Sequence, residues 1–265
     1  MTRGLTLFAK GNLDVRDSLH SLRLGGVVAW NGVNEIVRAR CPGCTIRIRH
    51  ELYTRSDALL AATGTVPAAV DQRRSLLEPY TPESQYSRAL FETKADAYVL
   101  SIQPDIMTAL YRHRSDGYLL SAISENTWPA GDRTWLAENF ASTGVLDVDT
   151  SMRNLERVVA DVRANCDAPI LVYNVSSVVP GESIRNYAEF PESLSARIRR
   201  FNLGLIDLSE RTGIWIVDVD TIVARAGADR TKIDTLHLNA EGCRLVAGEV
   251  VDTLEQLDLL SGAAV

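Results

Sequence analysis

The sequence predicts an α/β fold in three layers, in which helices cover both faces of a parallel sheet of about five strands, as in flavodoxin-like proteins. Short apolar runs alternate along the chain with longer segments of helical periodicity. Strands that are separated by ten or more helical residues pair in parallel. The chain has 265 residues, of which 46% are hydrophobic, and this is enough for one packed core. We find no repeat or linker, so we expect residues 1–265 to form one domain.

Five apolar runs are the predicted strands, at residues 5–9, 45–49, 97–102, 169–175 and 214–219. The second run alternates threonine or arginine with isoleucine, which is typical of a strand with one polar side. The third run is mostly apolar and stops at Pro104, as expected of a central strand of a parallel sheet. Sheets of this kind place their sites at the carboxyl ends of the strands.

The predicted helices are residues 20–39, 152–165, 194–212 and 240–257, where apolar side chains recur at helical spacing. Gly213 follows the third segment directly, and glycine is favoured just after a helix. Residues 63–93 and 113–147 are the least regular stretches. We expect both of them to form lids or walls of a pocket.

Composition limits the classes of partner. Lysine and arginine number 28 against 34 aspartates and glutamates, a formal net charge of −6, which disfavours a nucleic-acid partner. No apolar stretch approaches the roughly 20 residues that span a bilayer, and residues 1–10 lack the features of a signal peptide. We therefore expect a cytoplasmic protein with no membrane contact. The oligomeric state cannot be read from the sequence.

Cys41 and Cys44 form a C-x-x-C pair, a spacing found at redox and zinc sites. No second cysteine or histidine pair stands at a matching spacing in the sequence, and Pro42 and Gly43 lie between the two cysteines. We therefore interpret this segment as a turn.

Asp234 and His237 are the sharpest chemical signal in the sequence. They lie three residues apart, just ahead of the predicted helix at residues 240–257, so one turn of chain can bring them together. A carboxylate that accepts from one imidazole nitrogen fixes the tautomer and leaves the other nitrogen as a base. The spacing therefore predicts an acid–base pair.

The residues around this pair resemble a known family. Residues 234–242, DTLHLNAEG, are similar to the last signature block of the SGNH/GDSL hydrolases, D-x-x-H-L-(N/S)-x-x-G. The resemblance is strong over roughly residues 203–257 and weaker elsewhere. It implies a Ser-His-Asp arrangement in which Asp234 and His237 are catalytic, and it implies no metal or organic cofactor.

The family's nucleophilic serine belongs to a G-D-S-L or G-N-S block after the first strand, and one register of that block ends in Ser18. Asp17-Ser18-Leu19 then matches D-S-L, and Ser18 opens the following helix, whose amino end favours an oxyanion. We take Ser18 as the predicted nucleophile. Its hydroxyl must then lie within about 3.2 Å of His237, or modestly farther without a ligand.

The second register starts the block at Gly11 and Asn12. Leu13 then stands where the serine belongs, and the chemistry is altered or carried by another residue such as Asp14. The resemblance implies that Gly11 and Asn12, as the start of the block, lie where the oxyanion or the substrate is bound.

The family's middle blocks, which supply oxyanion donors, are also altered. Residues 101–105, SIQPD, occupy the place of the expected G-x-N-D, so Gln103 is the amide left to donate to the oxyanion. Residues 50–57, HELYTRSD, stand where the family has its glycine block. Arg55 is expected to bind an anionic substrate group or the oxyanion; the alternative is a charged loop with a helix cap at Ser56 or Asp57.

These residues together predict a serine hydrolase or acyltransferase that acts on an ester or other acyl group of a small molecule. The arginines favour an anionic substrate. Two other functions stay open. One is a divergent enzyme of the same fold that has lost the standard serine and catalyses another transformation in biosynthesis. The other is a non-catalytic binding protein that keeps only the fold.

Overall fold

The computed structural model describes residues 3–52, 55–122, 124–182 and 192–260. Within these ranges the strands are β1 (Arg3–Lys10), β2 (Leu22–Leu24), β3 (Val27–Trp30), β4 (Cys44–Glu51), β5 (Ala97–Ser101), β6 (Tyr111–His113), β7 (Leu119–Leu120), β8 (Phe140–Ser142), β9 (Ile170–Tyr173) and β10 (Trp215–Val217).

The α-helices in the same ranges are α1 (Leu13–Leu19), α2 (Asn34–Arg40), α3 (Ser56–Ala61), α4 (Ala68–Asp71), α5 (Thr81–Tyr86), α6 (Ala89–Glu92), α7 (Gln103–Met107), α8 (Ala130–Asn139), α9 (Val148–Asn165), α10 (Leu194–Thr212), α11 (Val219–Ala226), α12 (Ala228–Thr231) and α13 (Ala240–Gln256). Two short 3-10 helices cover Arg74–Leu76 and Glu125–Thr127. Within the described ranges, no helix is long and apolar enough to cross a membrane.

The central sheet has the five strands in the order β10-β9-β5-β1-β4, and every pair in it is parallel. The first strand pairs with β4 along its whole length, from Arg3 opposite Cys44 to Lys10 opposite Glu51. The predicted fold class, a parallel sheet of about five strands between two helical layers, is confirmed.

Successive strand residues face opposite sides of the sheet and so build two cores. Leu7 and Ala9 of β1 belong to a cluster on one face, beneath α1, α2, α11 and α13. Phe8 belongs to a cluster on the other face, beneath α3, α9 and α10. Tyr98 and Leu100 on β5 face this second cluster, whereas Val99 faces the first. Burial on both faces explains why these strands are apolar throughout.

The prediction of a helix over residues 20–39 is wrong for its first half. Strands β2 and β3 form an antiparallel hairpin there, and only α2 is helical. The cause is the pair Gly25-Gly26, whose φ angles are +57° and +84°. Two consecutive positive φ angles give the two-residue turn that hairpins prefer, and glycine adopts them without strain.

Apart from α6, which adds Leu90 and Phe91 to the second core cluster, the two irregular stretches form a separate group of elements beside the carboxyl ends of the strands. Residues 63–93 fold into short helices, and β6, β7 and β8 form a small antiparallel sheet. A third apolar cluster that includes Leu77, Tyr86, Leu120, Trp128 and Phe140 joins them. The prediction that these stretches line a pocket is consistent with this position.

Candidate active site

A large cavity opens where β1 and β4 end, at the carboxyl edge of the sheet. Its volume is about 1020 Å³, at the upper end of the range for small-molecule sites. The lining residues come from the turn after β1, the end of β4, the wall around α5, the segments that follow β5 and β7, and the loop that precedes α13. They include Asn12, Leu13, Arg16, His50, Glu51, Glu78, Tyr80, Glu83, Ser84, Gln85, Gln103, Ser121 and His237.

Asp234 and His237 meet at the edge of this cavity, and His237 lines it. The His237 Nδ1 atom lies 2.7 Å from Asp234 Oδ2, while the other carboxylate oxygen accepts from the backbone N–H groups of Leu236 (2.8 Å) and His237 (2.9 Å). Because Nδ1 donates to the carboxylate, Nε2 is the ring nitrogen left to accept a proton. The structure thus brings the two predicted residues together in the expected geometry.

The hydrogen bonds around Asp234 set its ionisation. Partial burial raises the pKa of the Asp234 carboxyl, but the hydrogen bonds from the Leu236 and His237 N–H groups and from the His237 ring outweigh it and lower the pKa to about 2. Asp234 is therefore a carboxylate throughout the neutral range, as an orienting partner of a catalytic histidine must be.

The segment that carries this pair is held at both ends. The Ile233 N–H donates to the His237 carbonyl (2.9 Å), and Lys232 Nζ donates to the Thr235 carbonyl (2.7 Å). Asn239 then caps α13 by accepting from the Gly242 N–H (3.0 Å). These contacts fix the position of the His237 ring with respect to the cavity.

Gly242 explains the end of the motif. A Cβ atom at this position would collide with the Thr231 carbonyl oxygen and come within 3.1 Å of the Leu238 Cβ atom. The first turn of α13 therefore packs against the preceding loop only with glycine at this position. Part of the signature is thus a packing requirement and carries no chemistry.

Ser18 does not reach His237, so the prediction for its position is wrong. It lies in the last turn of α1, is fully buried, and contacts the Asp14 and Val15 carbonyl oxygens (2.9 and 3.1 Å) and the Tyr173 hydroxyl (3.1 Å). These contacts occupy the hydroxyl on the inner face of the helix. Because α1 starts at Leu13, Ser18 lies well away from the amino end where it was expected.

The second register of the first block fits the structure. Asn12 and Leu13 follow β1 directly and both line the cavity that His237 also lines. Leu13, which stands where this register expects the serine, thus lies at the cavity. Gly11 is buried behind them, its carbonyl 2.7 Å from His50 Nε2, and a Cβ atom there would overlap the Val15 side chain. Gly11 therefore allows α1 to approach closely; it is not among the residues that line the cavity.

Asp14, the alternative to Ser18, lies behind the cavity wall. Ser101 Oγ donates to its Oδ2 atom, while its Oδ1 atom is buried and has no hydrogen-bond partner within the described residues. Burial raises the pKa of the Asp14 carboxyl, although the Ser101 hydrogen bond acts in the opposite direction. Asp14 is not among the residues that line the cavity, which does not support a role as nucleophile.

The segment after β5 contributes residues both to the cavity and to the scaffold. Gln103 lines the cavity, and its role as a donor to the oxyanion stays a prediction. Asp105 is buried instead and accepts from the Ser56 N–H (2.7 Å), the Ser56 hydroxyl (2.6 Å) and the Ser151 hydroxyl (2.5 Å). It joins α7 to α3 and α9.

The prediction that Arg55 binds an anionic group is wrong. The side chain is 1% exposed, and its N–H groups donate to Asp57 (twice), Thr143 Oγ1 (2.9 Å), and the Thr108 (3.1 Å) and Gly144 carbonyls. These partners use all five donors of a guanidinium, so none is left for a substrate. Residues 53–54 of the same segment lie outside the described residues.

A buried ion pair at the strand ends was not predicted. Lys10 is fully buried, and its Nζ atom donates to Glu51 Oε2 (2.9 Å) and to the Ser84 carbonyl (2.6 Å). Burial lowers the pKa of Lys10, and Glu51 opposes that shift. The pair joins β1, β4 and the α5 wall. A lysine directly after the apolar run at residues 5–9 was the available signal in the sequence.

His50 is the second histidine at the cavity. Its Nε2 atom contacts the Gly11 carbonyl, so Nε2 carries the proton and Nδ1 does not. Burial lowers the pKa of His50, and the nearby His20 and Arg16 lower it further, against the opposing effect of the Gly11 hydrogen bond. His50 is therefore held in the neutral form.

Comparison with solved structures identifies the fold. A lipolytic protein of the G-D-S-L family from Veillonella parvula superposes with a TM-score of 0.51 at 11% identity, over 95% of this chain and 98% of that one. A variant of an acetyl xylan esterase from Geobacillus stearothermophilus gives 0.50 at 12% identity, over the full length of both chains. The chain has the SGNH hydrolase fold. An α/β hydrolase from the metagenome of Lake Arreo, Spain, gives 0.51 at 14% identity, over 99% of each chain.

Sequence comparison alone does not reach this result. No protein-family profile matches the chain, and no curated protein does. At the identities found, the structural match establishes the SGNH fold, and function has to be inferred from the site. The chain departs from the SGNH blocks at Leu13, at residues 50–57 and at residues 101–105, and each of these segments contributes residues to the cavity.

Proposed function

We propose that this protein is an acyl-transfer enzyme of the SGNH fold in which Asp234 and His237 act on a nucleophile that the substrate or water supplies. The observation that carries the proposal is the contact of 2.7 Å between Asp234 and His237 at the edge of a cavity that Leu13 also lines. Ser18, the other candidate for that role, is fully buried and faces Tyr173. Among the described residues, no hydrogen bond joins the His237 ring to a serine hydroxyl, and the ring contacts Asp234.

The proposed reaction has one chemical step fewer than the reaction of a serine hydrolase. His237 Nε2 removes the proton from a bound hydroxyl, amine or water as that group attacks the acyl carbon of the second substrate. The tetrahedral intermediate collapses, the bond to the leaving group breaks, and the imidazolium returns the proton to the leaving atom. Asp234 holds the ring in the required tautomer and stabilises the imidazolium. No acyl-enzyme forms.

Asn12 and Gln103 are the proposed donors to the oxyanion. Both line the cavity, and both carry side-chain amides, which can donate two hydrogen bonds each. Donors aimed at a developing oxyanion are commonly worth about 10²–10³ in rate. Gly11 and Arg55 are not part of this proposal, because the first is buried behind the wall and the second has its donors occupied.

The charge of the cavity changes the substrate that we propose. The expectation of an anionic substrate relied on arginines. Arg55 cannot bind a substrate, because its donors are occupied within the protein. Among the described lining residues, Arg16 is the one arginine. Glu51, Glu78 and Glu83 line the same cavity. We therefore propose a small acylated molecule that carries no net negative charge.

The test follows the release of p-nitrophenol from neutral p-nitrophenyl acyl esters, with and without small alcohols and amines as acceptors. We expect steady release above the buffer rate, faster with a suitable acceptor, and no initial burst, because no acyl-enzyme accumulates. His237→Gln should lower the rate by about 10²–10⁴-fold. The matched control is His113→Gln, since His113 stacks on Tyr118 in the small sheet (ring centroids 4.6 Å apart) and is not among the lining residues.

Three outcomes would contradict the proposal. A burst equal to the enzyme concentration, with an acyl group on Ser18, would establish a serine hydrolase. An unchanged rate in a folded His237→Gln variant would remove the base. Failure to turn over any donor, with equal ester binding by wild type and His237→Gln, would favour a binding protein.

A further inference from the structure

The segment Cys41-Pro42-Gly43-Cys44 is a tight turn at the amino end of β4, at the sheet edge opposite the cavity. Cys41 ends α2 and Cys44 starts β4. The Cys44 N–H donates to the Cys41 carbonyl (3.0 Å), and Gly43 has a φ angle of +95°. Proline at the second position and a positive-φ glycine at the third are typical of a type II turn. The backbone thus fixes the two cysteines on the same side of the turn.

The two sulfur atoms are in direct contact. Cys41 Sγ lies 2.7 Å from Cys44 Sγ, and both thiols donate to the Leu260 carbonyl, at 2.8 and 3.5 Å. Cys41 is half-buried, whereas Cys44 is 4% exposed. One thiol is therefore accessible from solvent and the other lies directly beneath it.

This geometry fits a disulfide better than a shared metal ion. Two thiolates on one tetrahedral zinc ion, each about 2.3 Å from the metal, lie about 3.8 Å apart. The observed contact is shorter by about an ångström. A metal site would therefore require the turn to open, whereas a disulfide requires only a small further approach.

We propose that Cys41 and Cys44 are a redox-active dithiol that exchanges with a small-molecule disulfide. The Cys41 thiolate attacks one sulfur of the small disulfide, which forms a mixed disulfide and releases one thiolate. The Cys44 thiolate then attacks Cys41 Sγ, which closes the intramolecular disulfide and releases the second thiolate. The protein loses two protons and two electrons, and the small disulfide is reduced to two thiols.

The remaining cysteines differ from this pair in their surroundings. Cys243 is 1% exposed, and burial raises the pKa of its thiol to about 12. Cys166 is half-buried and donates to the Ala95 carbonyl (3.5 Å). Neither contacts another sulfur atom among the described residues, so Cys166 provides a matched control.

Closure of the disulfide also affects the end of the chain. Both S–H donors to the Leu260 carbonyl disappear on oxidation, and Leu260 is 2% exposed at the base of the first core cluster. A buried carbonyl that loses its donors destabilises the contacts around it. We therefore expect residues 257–260 to exchange their amide hydrogens faster in the oxidised protein.

The experiment equilibrates the full chain with buffers of reduced and oxidised glutathione, followed by acid quench, alkylation of the remaining thiols and intact-mass measurement. In the oxidised buffer we expect two of the four cysteines to resist alkylation with the loss of two hydrogen atoms, reversed by dithiothreitol. Cys44→Ser should accumulate glutathione on Cys41, because no second thiol resolves the mixed disulfide. Cys166→Ser should behave as wild type.

Several results would overturn the proposal. One is four alkylated cysteines in wild type at every glutathione ratio. Another is stable glutathionylation of wild type without closure. Zinc retained by the purified protein and lost in both Cys41→Ser and Cys44→Ser would assign the pair to a metal. Circular dichroism of each variant establishes that it is folded.

Discussion

The two ends of the candidate site differ in how much of the SGNH signature they keep. Residues 234–242 keep both the side chains and their geometry, with Asp234 and His237 in contact at 2.7 Å. Residues 11–18 keep the turn from strand to helix, but Leu13 faces the cavity and Ser18 faces the core. One end has the complete motif, whereas the other has only its backbone.

The difference shows which parts of a catalytic motif the fold itself requires. At the carboxyl-terminal end, Asp234 both orients His237 and accepts from two backbone N–H groups, so its loss would disturb the local fold. At the amino-terminal end the close approach of α1 depends on Gly11 against Val15. The Leu13 side chain is not part of that contact, so we expect position 13 to accept another side chain without a change of fold.

The largest effect on turnover is expected for Asp234→Asn, at the carboxyl-terminal end of the site. The amide cannot hold the His237 tautomer or stabilise its cation, and the corresponding change in a catalytic triad costs about 10⁴-fold in kcat. Release of p-nitrophenol under saturating ester measures it. Asp229→Asn is the matched control, because Asp229 is exposed on α12 nearby. Equal rates in wild type and Asp234→Asn would show that the pair has no catalytic role.

The contrast between the two ends of the site would be lost if a hydroxyl placed at the amino-terminal end were enough to restore formation of an acyl-enzyme. Leu13→Ser places a hydroxyl at the cavity that His237 lines. We expect this variant to react with a fluorophosphonate at position 13 and to show a burst with aryl esters. Wild type should remain unlabelled.

The control for that experiment is Ser18→Ala. Loss of the buried hydrogen bonds of Ser18 should cost about 1 kcal/mol of unfolding free energy and leave turnover unchanged. Fluorophosphonate bound to Ser18 in wild type would instead favour the register that ends in Ser18 over the one that starts at Gly11 and Asn12.

The smallest expected effect concerns Asp14, behind the amino-terminal end. Burial raises the pKa of Asp14 above its ordinary value of 3.8, so the folded state keeps the proton at pH values where the unfolded chain has lost it. The stability of wild type relative to Asp14→Asn is therefore greatest below the unfolded pKa of 3.8 and falls as pH rises from there through the folded pKa. Asp14→Asn should melt higher than wild type at pH 7, by about 2–4 °C for each kcal/mol gained. Asp116→Asn on the surface should show no such pH-dependent difference.

The fold was predictable because buried parallel strands are apolar on both faces. Residues 97–102 and 169–175 carry that pattern, and the structure places β5 and β9 there. The hairpin of β2 and β3 was missed because apolar spacing over residues 20–39 outweighed the Gly25-Gly26 turn signal. A dipeptide that fixes the backbone is better evidence than an approximate periodicity.

The site was predictable only where side-chain direction follows from local spacing. Asp234 and His237 share one short loop, so their separation in sequence determines their contact. The directions of Ser18 and Arg55 depend on distant partners, Tyr173 in one case and Thr143 in the other. The polarity of a residue and its position in a motif do not indicate which distant residues it contacts. The predictions for Ser18 and Arg55 were wrong for that reason.

The buried contacts of Lys10 have a consequence for the kinetics of ligand binding. Its fully buried ammonium group holds the last residue of β4 and the backbone of α5 together at the wall of the cavity. The ordering of the cavity wall therefore occurs when the chain folds and need not accompany ligand binding. A rigid receptor of this kind should associate with its ligand in a single kinetic phase, with a rate constant that rises linearly with ligand concentration.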